Sequence, residues 1–415
     1  MERTIRRSIV SGRLPAPPSS AIAHRAIIAA ALSPGQSVIS HIPFSEGVKS
    51  TIRACASIGA DIAIDEEQGV ADIFGMHRGF SGAAVDCWQS NSTFKMFLPL
   101  LPALGGKSRI NGSGTLAKKP LEAYMVYLER LGARVSSVAG TLPIELEGPL
   151  TEQEIVCFPA LGTQFFSGLL FSSAVREEQI TIGLDGEFDN PQYADMSVDL
   201  LSEFGVSIHR SEGDFLFDGN HGFSPANFEA PASSYLSSFM LLAGAAAGKV
   251  ILAGLGSEDS QALAGLFRSF DASATASGET LTISAGFPHK GEFDAWELGI
   301  YLPHALVLAS LSQGECRFNS IGSLGKQQDR RLKLMVRELS KMGLKSEERD
   351  GALTVSGGKL TAATIRPEGD AAVAMACSIA GLCASGQTQV TEAECVEKAY
   401  PGFFADLERL GAIVH

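Results

Sequence analysis

Residues 16–32 read APPSSAIAHRAIIAAAL: prolines, two serines and a His-Arg pair, then Ala, Ile and Leu without charge. A surface helix shows an apolar stripe with a period of about 3.6 residues, whereas this stretch is apolar on nearly all sides. Such a helix is buried at the centre of a layered domain. Its start is rich in hydrogen-bonding groups, which a purely packing helix does not need.

The same kind of segment recurs along the chain, each time followed by a turn and a β-prone stretch. The copies are AIIAAALSPGQSVI, FLPLLPALGGKSRI, FSGLLFSSAVREEQITI, FMLLAGAAAGKVIL, ALVLASLSQGECRF and MACSIAGLCASGQTQV. Between them a second, amphipathic helix runs into a stop of the type Leu-Gly-Ala, at Ile58, Leu131, Phe204, Phe270, Met342 and Leu410. Spacings of 66–73 residues are too long for solenoid repeats and suit one compact α/β unit each. Glycine after the stop residue fits a left-handed C-cap. Six α/β repeats with one central helix apiece, three around each of two cores, is the predicted architecture.

Composition narrows the function. A chain of 415 residues is long enough for two or three domains. A net charge of −13 argues against a nucleic-acid partner, though not against a local basic pocket. Seven cysteines without CxxC or Cys/His spacing predict reduced thiols and no metal site. No apolar run reaches membrane-spanning length and the start has no apolar leader core, so a cytoplasmic protein is expected.

Four of the six central helices begin with polar groups: Ser19, Ser20, His24 and Arg25; residues 89–95, QSNSTFK; residues 162–167, GTQFFS; and residues 233–238, SSYLSS. Capping alone accounts for Ser, Thr and Asn at such places. It gives no reason for Arg25 and Lys95, because a cation is disfavoured near the positive end of a helix unless an anion joins it. The fifth and sixth starts differ, with Ile300, and with Ala371 and Ala372. The remaining charge in that half lies in GKQQDRR, residues 325–331, and in CVEKAYPGF, where Lys398 precedes a Tyr-Pro turn.

In order and spacing the chain resembles the enolpyruvyl transferase family, the EPSP synthases in particular, over essentially its whole length. The resemblance is carried by APPSSAIAHRA, DCWQSNSTFKMFLPLL, TLAKKPL, GTQFFSGLL, QYADMSVDLLSEFGV, KQQDRR and CVEKAYPGF. It implies a two-domain inverse αβ-barrel of six βαβαββ-type repeats. The domains are expected near 14–227 and 228–415, the second completed by an N-terminal strand within 1–13. It also implies an interdomain cleft for shikimate 3-phosphate and phosphoenolpyruvate, no metal or organic cofactor, no membrane partner and a monomer.

Carried over by position, Arg25, Thr163, Gln164, Asn190, Tyr193 and Lys326 match the ring-substrate side of that family, with Gly162 and Asn190 standing where the family has serines. The phosphoenolpyruvate side is thinner. Ser20 replaces a lysine, Ala371 and Ala372 a His-Arg pair, and Gln327 a glutamate. Ile300 takes the place of the carboxylate that would accept the substrate's hydroxyl proton. Arg330 and Lys398 survive, and Lys95, Lys118 and Lys119 can lend charge. Glu297 and His304, near Ile300, are the alternative proton carriers, with Lys398 as a third catalytic candidate. An aliphatic side chain cannot exchange a proton. The expectation is therefore a family enzyme binding a shikimate-type anion with altered chemistry, elimination for example, and reduced need for phosphoenolpyruvate. A working 3-phosphoshikimate 1-carboxyvinyltransferase and a non-catalytic sensor are the alternatives.

Overall fold

A computed structural model describes residues 1–76, 79–188, 190–211, 213–219, 222–286 and 290–415. Its strands form six four-stranded sheets of one pattern. In the first, Gln36–Ser40 runs parallel to the edge strand Asn227–Glu229 and antiparallel to Val70–Phe74, which pairs in turn with Asp61–Asp65. The chain enters this sheet from the helix Ser20–Leu32 and passes through the helix Glu46–Ser57 before the outer hairpin. The later repeats follow the same path.

The six helices with apolar sequences are the buried ones: Ser20–Leu32, Asn91–Leu104, Thr163–Ala174, Ser234–Ala247, Leu302–Leu311 and Ala371–Cys383, the first to sixth central helices. Residues 23–31, 93–102, 165–174, 236–246, 302–310 and 372–382 are buried without a break. Small residues allow close crossings. A Cβ on Gly168 would stand 2.5 Å from the Met96 carbonyl oxygen, so the second and third central helices touch backbone to backbone there. The amphipathic helices end at the recurring stop, where Gly59, Gly132, Gly205, Gly343 and Gly411 have positive φ. In the fourth copy Asp271, at φ 60°, takes that conformation, one that Asp tolerates better than most residues.

The chain divides into two compact units, Ser19–Ala230, and Met1–Pro18 with Pro231–His415. Each has its own hydrophobic core. The boundaries of these units fall at 18/19 and 230/231, close to the expected 14 and 227. Val10–Pro15 lies parallel to Gly248–Ala253, and Arg3–Arg6 lies antiparallel to Gln387–Val390, so the N-terminal strands complete two sheets of the second unit. Asn227–Glu229 closes a sheet of the first. Among the described residues no helix is long and apolar enough to cross a membrane, and no group of His, Cys, Asp or Glu is placed to hold a metal. All seven cysteines are free.

Candidate functional site

In the first unit the starts of the three central helices are tied together at one end. Arg25, 1% exposed, donates from Nε to Ser197 Oγ at 2.7 Å and from Nη1 to the Ala21 carbonyl at 2.6 Å. Its Nη2 reaches Ser167 Oγ at 2.9 Å and the Tyr193 carbonyl at 3.3 Å. Every acceptor is neutral, and burial lowers the guanidinium to about 10. Arg25 thus holds the first helix to the third and to Gln192–Glu203. A hydroxyl chain links the first to the second: His24 Nδ1 meets Thr51 Oγ1 at 2.6 Å, Thr51 meets Thr93 Oγ1 at 2.7 Å, and Thr93 donates to Ser90 Oγ at 2.7 Å.

Capping explains part of the polarity. Ser19, Ser90 and Ser233 each accept a hydrogen bond from the backbone N–H three residues on. Ser20 Oγ is buried without a hydrogen-bond partner among the described residues. Thr163 and Gln164 are half-buried in the first turn of the third central helix, whose N-cap is Gly162 and brings no side-chain cap. Asn190 and Tyr193 are half-buried where the chain enters Gln192–Glu203, the Asn190 carbonyl accepting from the Tyr193 N–H at 3.3 Å.

The strongest electrostatic feature of this end is a pair of lysines. Lys95, 8% exposed, donates to the Leu161 carbonyl at 2.6 Å and lies 5.8 Å from the Tyr124 ring centroid. Lys119 donates to Asn91 Oδ1 at 2.9 Å and lies 5.6 Å from the same ring. Burial, then the neighbouring Lys119, push Lys95 down to about 8; burial also lowers Lys119. Neither forms an ion pair with a carboxylate among the described residues. The sequence offered Lys118 and Lys119 equally; the fold leaves Lys118 exposed and turns Lys119 inward. Two adjacent cations without counter-charge make a site for an anion.

The second unit gathers its helix starts in a different chemistry. Ser238 Oγ and His304 Nε2 are 2.7 Å apart, and the His304 ring packs 4.3 Å from that of Phe239. His304 is 0% exposed, and burial, then the Arg331 charge, lower it to about 3. Burial thus favours the neutral ring. Glu297 is exposed on the short helix Ala295–Leu298, and Ile300 is half-buried in the turn that follows.

Beside them lies a hollow of about 320 Å³, whose lining includes Tyr235, Gln327, Arg330, Arg331, Ala372 and Ala399. Arg331 is paired with Asp370 at 2.9 Å, and Arg330 stands loosely 3.8 Å from Glu368. Lys326 is exposed at the start of the helix Lys326–Lys341. Lys398 is exposed on Glu394–Ala399, the helix whose end lines the hollow. Sequence reasoning did not single out Ser197 and Tyr124 in the first unit, or Glu368 and Asp370 in the second. Asp370 alone had a local signal, as an acidic residue just ahead of an apolar helix.

The family model of EPSP synthase (3-phosphoshikimate 1-carboxyvinyltransferase) matches residues 6–407. A 3-phosphoshikimate 1-carboxyvinyltransferase of Clostridium perfringens is 29% identical over 98% of this chain and 97% of its own. One of Methanocorpusculum labreanum is 28% identical over 99% of both. An EPSP synthase structure from Acinetobacter baumannii superposes with a TM-score of 0.81 at 19% identity, over 100% of this chain and 99% of that one, which establishes the two-domain inverse αβ fold. Altered chemistry, expected from the replacements at Ile300, Ala371 and Ala372, finds no support in these likenesses, since the curated relatives carry the transferase name. The chain belongs to the EPSP synthase family.

Proposed function

We propose that the chain transfers the carboxyvinyl group of phosphoenolpyruvate to a hydroxyl of shikimate 3-phosphate. The observation that carries this reading is the Lys95 and Lys119 pair, two cations lacking carboxylate partners among the described residues, beside the uncapped start of the third central helix. Such a place favours a compact, multiply charged anion. The hydroxyl oxygen bonds to C2 of phosphoenolpyruvate, the bond from C2 to the phosphate oxygen breaks, and phosphate departs with its electron pair. The hydroxyl proton ends on that phosphate or on a base.

Thr163, Gln164, Asn190 and Tyr193 supply neutral donors and acceptors for the ring substrate, while Arg25 positions the helices that carry them. Arg330, Lys326 and Lys398 add exposed cations from the second unit. With Ile300 aliphatic and a proton on His304 disfavoured by burial and the Arg331 charge, the departing phosphate is the readiest proton acceptor. One observation favours a second reading, ring-phosphate binding with elimination or with no reaction. Arg331 is already neutralised by Asp370, and the start of the sixth central helix is lined by alanines.

The deciding experiment is phosphate release from shikimate 3-phosphate by the purified chain, with and without phosphoenolpyruvate, with the ring product identified by mass. Release only with phosphoenolpyruvate, together with a carboxyvinyl adduct, supports transfer. Release without it, or no release despite binding, gives the second reading.

A further inference from the structure

Lys95 is a primary amine in surroundings that disfavour its charge. The groups facing it are Tyr124 from the helix Glu122–Arg130, Lys119 from the loop before that helix, and Leu161 and Gly162 from the turn ahead of the third central helix. Tyr124 brings no counter-charge, because burial pushes its hydroxyl up to about 12. Desolvation and a neighbouring cation are the two conditions that turn a lysine into a nucleophile. Gly162, at φ +92°, packs its backbone against the amine: a Cβ there would lie 2.6 Å from Lys95 Nζ, so only a glycine lets the lysine reach this position.

We propose that Lys95 is a nucleophilic amine that condenses with α-keto acids to an imine, Lys119 holding the carboxylate of the keto acid. The neutral Nζ bonds to the keto carbon and the C=O pair moves to oxygen, giving a carbinolamine. The nitrogen lone pair then expels that oxygen as water, which takes up both amine protons, and a C=N bond remains. No oxidant or reductant enters. An arginine pair would bind the same anion without this chemistry, since a guanidinium stays protonated.

The test uses the full chain, pyruvate as probe and sodium cyanoborohydride to trap the imine as a secondary amine, with the labelled lysines mapped by mass spectrometry. Near neutral pH an amine with a pKa of about 8 has a neutral fraction about two to three hundredfold larger than an ordinary lysine. Allowing for limited access and weaker intrinsic nucleophilicity, Lys95 is expected to take label about tenfold faster than exposed lysines such as Lys107. Methyl pyruvate, without the carboxylate, labels it more slowly, and Lys119→Gln removes that preference. Lys95→Arg abolishes labelling at this position while the background stays. Label distributed by exposure, or equal rates for pyruvate and its ester, overturns the proposal. Failure here leaves the transferase reading intact, because that reading asks only for two cations and is tested by phosphate release.

Discussion

Arg331 Nε stands 2.9 and 3.2 Å from the two carboxylate oxygens of Asp370, and Asp370 also accepts the N–H groups of Ala372 and Val373 at the start of the sixth central helix. One carboxylate therefore caps a helix and neutralises an arginine, with both side chains about 15% exposed. Asp370→Ala removes both interactions and is expected to cost about 2–4 kcal/mol. Asp370→Asn keeps the cap and costs less. It also removes the carboxylate charge beside Arg331, so inorganic phosphate should bind the second unit more tightly in the Asp370→Asn variant than in the parent. Urea denaturation and phosphate titration read the two effects separately, and equal stability losses for both variants would assign the whole effect to the ion pair.

His24 and His304 are both buried and both lowered to about 3, chiefly by burial. The unfolded chain, with histidines near 6.5, takes up protons that the folded chain refuses. Above about pH 6.5 neither state is charged at these positions and no stability is at stake. As pH falls from there towards about 3, each histidine costs up to about 1.4 kcal/mol per pH unit. Urea midpoints followed from pH 7 downward should thus decline, and His304→Gln, which can keep a hydrogen bond to Ser238, should flatten the decline by one proton. Parallel curves for the two proteins would mean that His304 titrates normally in the fold and is open again as a proton carrier.

Arg25 spends its donors on Ser197, Ser167 and two carbonyls, so its first task is to lock the helices together. Arg25→Lys cannot reach all of these acceptors and leaves buried hydroxyls and carbonyls unpaired. The expected loss is about 2–4 kcal/mol of stability. If Arg25 acts on substrate only by positioning Tyr193 and the third helix, the variant at a temperature where it is fully folded should lose turnover more than affinity for the ring substrate. A loss confined to ring-substrate affinity would instead assign Arg25 a direct contact.

The fold was legible because its signals are local and repeated. Uniform apolarity marks the six buried helices, and a small or acidic residue in left-handed conformation marks each stop, Asp271 included. The unit boundaries were less legible, since the partner of Val10–Pro15 lies at Gly248–Ala253, and no local pattern encodes a pairing so distant. At the site, sequence names the residue type but not its direction. His304 sits in LPHALVL, where the apolar surroundings already point to a buried ring, while TLAKKPL gives no hint that Lys119 rather than Lys118 packs on Tyr124. The partners of Arg25 come from two other helices, at separations of 142 and 172 residues, which only packing reveals.

Lys95 is kept as a buried cation at a cost that packing alone gives no reason to bear. Its ammonium has one carbonyl acceptor, no carboxylate partner among the described residues and a second lysine nearby, so the folded state is less stable than it would be with an isosteric apolar chain. Lys95→Met is expected to raise stability by about 1 kcal/mol, because methionine has a similar length and buries no charge beside Tyr124. The same change should weaken phosphoenolpyruvate or inorganic phosphate binding by about tenfold or more, since half of the local positive charge is gone. Opposite signs in thermal denaturation and ligand titration identify a residue retained for binding against the interest of the fold. A variant that loses both stability and affinity would make the hydrogen bond to Leu161, rather than the charge, the reason Lys95 is there.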